Sequence, residues 1–191
     1  VIVNFYPFEE TIKNISFHPK IIENIDIGGP TLVRAAAKNY NDVTVLTSPN
    51  QYRDLEKQLK KNNGSTSLEF RKMMSQSAFS ETAFYDSLIA DYFNKITHNY
   101  FPAKKTIHLK LIDQLRYGEN PHQKSSIYST DDFLNLKQLH GKQLGYNNYN
   151  DIYAALRISK SMSNDRGTVI IKHGNPCGVS IIKNKLKSYK S

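Results

Sequence analysis

The sequence predicts an α/β protein built as two consecutive blocks. Three observations carry that prediction. The first 47 residues alternate strand, helix and strand; a long helical periodicity then ends at a proline-containing break near residue 100; beyond it, short strands surround a helix and end at "VIIK" (169–172). Hydrophobic residues make up 39% of the chain and charged residues 23%, a balance that supports a packed core and argues against wholesale disorder.

"VIVNFY" (1–6) and "VTVLT" (43–47) are β-branched apolar runs of strand length. Between them "GGPTLVRAAAKN" (28–39) opens with two glycines and Pro30, a helix-start signal. Strand, helix and strand in that order build a parallel unit. "SPNQYRDLEKQLKK" (48–61) predicts a helix opened by Ser48 and Pro49 and closed near Asn63–Gly64. Thr66 and Glu69 stand at capping-box spacing, and the apolar series Phe70, Met73, Met74, Phe79, Ala83, Leu88, Ile89, Tyr92, Phe93 and Ile96 predicts one long amphipathic helix with that stripe in the core.

"THNYFPAKKT" (97–106) breaks the periodicity, which places a linker at 101–106 between a first block, 1–100, and a second, 107–191. The second block predicts a strand at 107–112, a turn-rich "LRYGENPHQ" (115–123), a short strand at 126–129, a loop "LHGKQLGYNNYN" (139–150), a helix at 151–162 and a buried-type strand at 168–172. "NPCG" (175–178) then reads as a turn and a helix start. The chain begins inside a strand-like run and stops within a helix-like pattern at 183–191, so it reads as an internal stretch of a longer protein.

Composition narrows the function class. No apolar run approaches the ~20 residues that a membrane span needs, and no signal-peptide pattern is present, so a cytoplasmic location is expected. Cys177 is the single cysteine; it cannot form an internal disulfide and alone makes no thiolate metal site. A net charge of +9 invites a nucleic-acid partner. Its distribution argues otherwise: the lysines run from Lys13 to Lys190 interleaved with acids, with no dense arginine block. Solvation and binding of small anions account for the charge, and neither nucleic acid nor a membrane is expected as partner. A basic nucleic-acid-binding module and an inactive remnant of an enzyme stand as the alternative readings.

Chemistry concentrates in three places. Asp26 precedes the Gly28–Gly29 helix start, where backbone N–H groups favour an anion, and Lys38 lies two turns beyond Pro30. That acid and amine suit proton transfer in one pocket, while Lys38 serves equally well as a cation at a helix C-terminus; spacing leaves both open. Arg116 and Tyr117 combine a planar fork with a stacking face, beside the plain reading of a surface turn. "VIIKHGNPCGV" (169–179) delivers Lys172 and His173 where a strand ends. An imidazole there accepts a proton near neutrality, and a neighbouring ammonium stabilises an oxyanion and keeps the ring neutral by repulsion. With no second cysteine after Pro176–Cys177, a deaminase-type zinc site is disfavoured, and Cys177 reads as a small buried residue. His18, His98, His108 and His140 read as surface or loop histidines.

Together, "NFYPF", "IDIGGPTLVRAAAKN", "LRYGENPHQ", "LHGKQLGYNN" and "KHGNPCGV" resemble one family. It is the bifunctional purine-biosynthesis family that joins a formyltransferase for aminoimidazole carboxamide ribotide (AICAR) to inosine monophosphate (IMP) cyclohydrolase. The resemblance implies a methylglyoxal-synthase-like, Rossmann-type layer, the C-terminal part of the cyclohydrolase domain, followed by the start of a cytidine-deaminase-like transformylase domain without zinc. It implies that Tyr6, Asp26 and Lys38 act in the cyclohydrolase pocket, with Asn4 and Ile27 lining the nucleotide. It further implies that Arg116 and Tyr117 hold the ribotide, His173 is the general base on its 5-amino group, and Lys172 stabilises the developing negative charge.

The implied chemistry is formyl transfer from 10-formyltetrahydrofolate to AICAR, giving FAICAR, then ring closure with loss of water to IMP. Neither step needs a metal or a redox cofactor, and the full-length family protein is expected to be a homodimer. Segments that complete both pockets lie outside this span, so it is expected to be incomplete for either step. Within the last motif, Gly174 departs from the family pattern.

Overall fold

The computed structural model describes residues 1–130, 138–162, 167–182 and 184–190, and divides into two compact units, Val1–His108 and Leu109–Ser191. The first holds α1 (Phe8–Asn14), α2 (His18–Glu23), α3 (Gly28–Lys38), a 3-10 turn at Pro49–Gln51, α4 (Tyr52–Lys61) and α5 (Leu68–Ile96). The strands expected at 1–6 and 43–47 reduce to a single parallel bridge, Ile2 to Leu46. Leu46 donates its N–H to the Val1 carbonyl and accepts from Val3, both at 3.0 Å. Pro7 ends the first run: it has no amide hydrogen, and its φ of −76° feeds the chain into α1.

α3 packs on α5 through small side chains. Val33, Ala36, Ala37, Val45 and Ala78 form one buried cluster; Phe8, Ile21, Tyr85 and Leu88 form a second. Two long-range hydrogen bonds set the relative direction of the helices. Ser75 Oγ donates to the Ala37 carbonyl at 2.7 Å, and the Asp26 N–H donates to the Tyr85 hydroxyl at 2.9 Å, so the two helices run antiparallel.

This close approach corrects part of the expected core stripe. Phe70 and Leu88 are buried and Met74, Ile89 and Tyr92 half-buried, but Met73, Phe79, Ala83, Phe93 and Ile96 are exposed, and Ser75, Ala78 and Thr82 are buried beside Tyr85. Apolar residues occur all around the 29-residue α5; the face that admits a neighbouring backbone is the one with small side chains, not the bulkiest one. Ser67, not Thr66, caps α5 by accepting the Phe70 N–H at 3.2 Å. The Thr66 hydroxyl pairs instead with that of Thr44, 2.7 Å away.

The second unit contains two antiparallel two-stranded sheets and two helices among its described residues. β1 (Lys110–Leu115) pairs with β2 (Ser125–Ser129), and β3 (Thr168–Lys172) with β4 (Asn175–Ser180); α6 (Tyr146–Ser161) lies between the pairs in sequence and α7 (Lys185–Lys190) follows them. β1 starts three residues later than the sequence predicts. α6 starts five residues earlier, because the Gly145 N–H finds the Asn148 side chain at 2.9 Å and caps the first turn. Within the helix-like pattern at 183–191, residues 183 and 191 lie outside the described residues.

"NPCG" is strand, not a turn and helix start. His173 and Gly174 both take positive φ, 53° and 73°, the signature of a two-residue type I′ hairpin that sets Lys172 opposite Asn175. The turn therefore precedes the motif rather than occupying it. Pro176 and Cys177 sit where the register shifts, which tolerates a residue without an N–H. Cys177 is exposed, not buried. β3 is only half-buried, with Ile170 43% exposed, because its hairpin is not enclosed by further strands. The chain is thus mixed α/β, and no described helix is long and apolar enough to cross a membrane.

Two measurements test this packing. Ala78→Leu overfills the α3–α5 contact and should lower unfolding free energy in urea by about 1–3 kcal/mol. Tyr85→Phe removes the acceptor of the Asp26 N–H and should cost about 1 kcal/mol. Burial pushes the Tyr85 phenol up. Because the folded form keeps a proton that the unfolded chain releases, stability contributed by Tyr85 is complete below the ordinary tyrosine range near ~10 and is lost above it. Tyr85→Phe should make the alkaline loss shallower.

Candidate functional site

The second unit gathers four of the sequence-predicted side chains around the first half of α6. Arg116 lies over the Tyr117 ring, 4.6 Å from its centroid, and donates to the Tyr117 hydroxyl at 2.8 Å. Gly145 backs this pair, with open room for no more than a contact: a Cβ there would stand 3.6 Å from the Tyr117 ring. Two residues on, Asn147 Nδ2 donates to the Glu119 carbonyl at 3.3 Å, tying the Arg116 loop to α6. Four residues further, Asp151 Oδ1 accepts the Gly174 N–H at 2.6 Å, tying the Lys172–His173 turn to the same helix. Residues four apart share a helix face and are separated by ~6 Å of rise, so both loops hang on one stripe of α6.

Lys172 and His173 are both exposed. His173 is held by its own turn. Asn175 Nδ2 donates to its carbonyl at 3.0 Å, and its left-handed backbone, uncommon for a non-glycine residue, depends on such restraints. At Gly174 a positive φ and Asn150 Nδ2, 3.1 Å from an added Cβ, both favour glycine.

In the first unit the predicted residues are only partly brought together. Tyr6 and Asp26 collect around the α5 residue Tyr85, whose hydroxyl takes the Asp26 N–H and whose ring packs on Phe5 at 5.1 Å; Ile27 follows Asp26 in sequence. Tyr6 and Ile27 are exposed, 54% and 73%. The Asp26 carboxylate accepts the Gly29 N–H at 2.7 Å, filling the anion position at the α3 N-terminus with a protein group. Gly29 permits this approach, since a Cβ would lie 2.5 Å from Asp26 Oδ2. Asn4 turns elsewhere, donating to the Tyr52 hydroxyl at 3.0 Å. Lys38 sits at the opposite end of α3, ~15 Å of helix from Gly28, beside the Ser75 end of α5.

Several site-forming residues escaped the sequence reading. Asn147, Asp151 and Tyr85 carry no catalytic signature, and what marks them is a bond across 23 to 59 positions that no local pattern encodes. The "YNN" stretch was singled out only as part of a motif. Two histidines read as surface or loop residues have partners as well. The exposed His18 bonds the Tyr92 hydroxyl through Nδ1 at 2.7 Å with the rings stacked, and His108, outside any helix or strand, is half-buried, edge-on to Phe84 at 5.8 Å.

A family model described as the AICARFT/IMPCHase bienzyme matches residues 36–191. The chain is 44% identical to the bifunctional purine biosynthesis protein PurH of Caldicellulosiruptor saccharolyticus, across all of this chain and 38% of that protein. It is 42% identical to the PurH of Persephonella marina over the same shares, and 46% identical to that of Rippkaea orientalis over 95% of this chain and 37% of the relative. The chain spans little more than a third of the length of these relatives.

The Asp26 geometry separates a structural from a chemical duty. Asp26→Ala should lower stability by about 1 kcal/mol by orphaning the Gly29 N–H, whereas Asp26→Asn, which keeps an acceptor, should stay within a few tenths. Thermal unfolding of the two variants checks this.

Proposed function

The chain belongs to the AICARFT/IMPCHase bienzyme family, and from that premise we propose that it carries residues for the two closing steps of IMP formation. The first is formyl transfer from 10-formyltetrahydrofolate to the 5-amino group of AICAR. The second is dehydrating closure of FAICAR to IMP. The observation that carries the reading is the gathering of Arg116, Tyr117, Lys172 and His173 on two loops tied to one face of α6.

In the transfer step the exposed His173 imidazole takes the proton from the 5-amino nitrogen as that nitrogen bonds the formyl carbon, and the bond from that carbon to the folate nitrogen breaks as the folate nitrogen takes up a proton. Lys172, its neighbour in sequence, stabilises the oxyanion on the formyl carbon. The Arg116 fork, braced on Tyr117, is suited to the anionic ribotide. In the closing step Lys38 handles protons as the carboxamide nitrogen attacks the formamide carbon and water leaves. Tyr6 and Asp26 also act in the cyclohydrolase pocket, and Asn4 and Ile27 line the nucleotide; of these, Tyr6 and Asp26 share the Tyr85 neighbourhood. Lys38 is assigned by the resemblance, since it stands a helix length from that group.

The same reading makes residues 1–100 a partial methylglyoxal-synthase-like cyclohydrolase layer, 101–106 a linker and 107–191 the opening of a cytidine-deaminase-like transformylase. The division after His108 supports a two-domain organisation of this kind. The net charge of +9 suits anionic nucleotides and a polyanionic folate. A homodimer in the cytoplasm completes the proposal.

The test is a chimera in which this chain replaces its counterpart in the Persephonella marina relative. Both activities should persist. His173→Ala in that chimera should reduce formyl transfer by a factor of about 10²–10⁴ and leave cyclisation near normal, and Lys38→Ala should do the reverse. Equal loss of both activities from either change would refute separate sites.

A further inference from the structure

The transformylase reading leaves one acid beside the base without a task. We infer that Asp151 is a positioning residue that sets the direction of the His173 imidazole, and this rests on His173 being the base. Asp151 lies in the second turn of α6, and its Oδ1 accepts the N–H of Gly174, the residue immediately after His173, at 2.6 Å. A carboxylate acceptor makes this bond stronger than a neutral one. The bond acts on a backbone that would otherwise relax. His173 holds a φ of 53°, a left-handed conformation uncommon for non-glycine residues although histidine adopts it more readily than most, so the turn benefits from each restraint on it.

Its surroundings here are few. Apart from the ladder, the described hydrogen bonds on this turn are the Asp151 bond and the local Asn175 bond to the His173 carbonyl. Of these two hydrogen bonds only the first reaches another element, adding a directed tie to the packing of Asn150 and of β3 against the turn and α6. The same helix face, one turn earlier, holds the Arg116 loop through Asn147. Asp151 thus sets the base in register with the groups that hold the ribotide. An Asp four residues after Asn147 therefore couples two loops 57 positions apart without touching substrate.

The experiment uses the same chimera. Asp151→Ala should lower kcat for formyl transfer at least tenfold, because misplacement by about 1 Å is enough for such a loss. KM for AICAR should move less than about threefold, cyclisation should hold, and Asp151→Asn, which keeps an oxygen at the same reach, should recover most of the rate. Hydrogen exchange at the Gly174 amide, protected in the parent, should accelerate in the alanine variant. Should that variant fail to fold, Asp151→Glu, with its acceptor one methylene further out, takes its place and should show the same loss. A parent-like kcat for Asp151→Ala or Asp151→Glu overturns the inference, as does an Asp151→Asn variant no better than alanine. A parent chimera that transfers no formyl group at all instead overturns the assignment of function.

Discussion

The Gly174 amide sits in a two-residue turn between ladders, and the carboxylate that receives its hydrogen comes from a helix 23 positions earlier. The same constraint recurs wherever a candidate residue stands. Backbone groups taken out of water must be paired, and this chain has only short ladders with which to pair them. Side chains take over that duty: Asp26 for Gly29, Tyr85 for Asp26, Asp151 for Gly174. Arg71 does the same for the carbonyls of Tyr40 and Asn41 after α3, at 2.9 and 2.7 Å. Loops held in this way are placed by helices rather than by a sheet.

Each unit expresses the principle through one helix. In the first, α3 reaches α5 closely because Ala36, Ala37 and Ala78 leave room, and the Ser75 and Tyr85 bonds lock its two ends. That arrangement also parts Asp26 from Lys38, since each is tied to a different end of α5. In the second, α6 carries Asn147 and Asp151 on one face and so assembles the Arg116 and His173 loops. An acid receiving a backbone N–H appears in both units, Asp26 at the start of α3 and Asp151 beside the Lys172–His173 turn.

The motif residues were legible because their types and order are local facts. Arg116 with Tyr117, and Lys172 with His173, are adjacent in sequence, and adjacency survives any fold. The buried face of α5 was not legible. Large apolar side chains on several faces offered more than one stripe, and the partner backbone selected the one lined by Ser75, Ala78 and Thr82. The "NPCG" strand was missed for a similar reason: proline and glycine signalled a turn there, while two positive φ values at His173 and Gly174 had already reversed the chain.

By itself, the sequence determined the mixed α/β class, the helices at α3, α4 and α5 and which residue types stand beside one another, since periodicity, punctuation and motif order are properties of neighbours along the chain. The tertiary structure alone decided that Asp26 caps α3, that Lys38 stands apart from it, and that Asp151 holds the turn of the proposed base. Those outcomes depend on which backbone amides lack a ladder partner and which distant side chain reaches them, and that pairing exists only after the helices have packed.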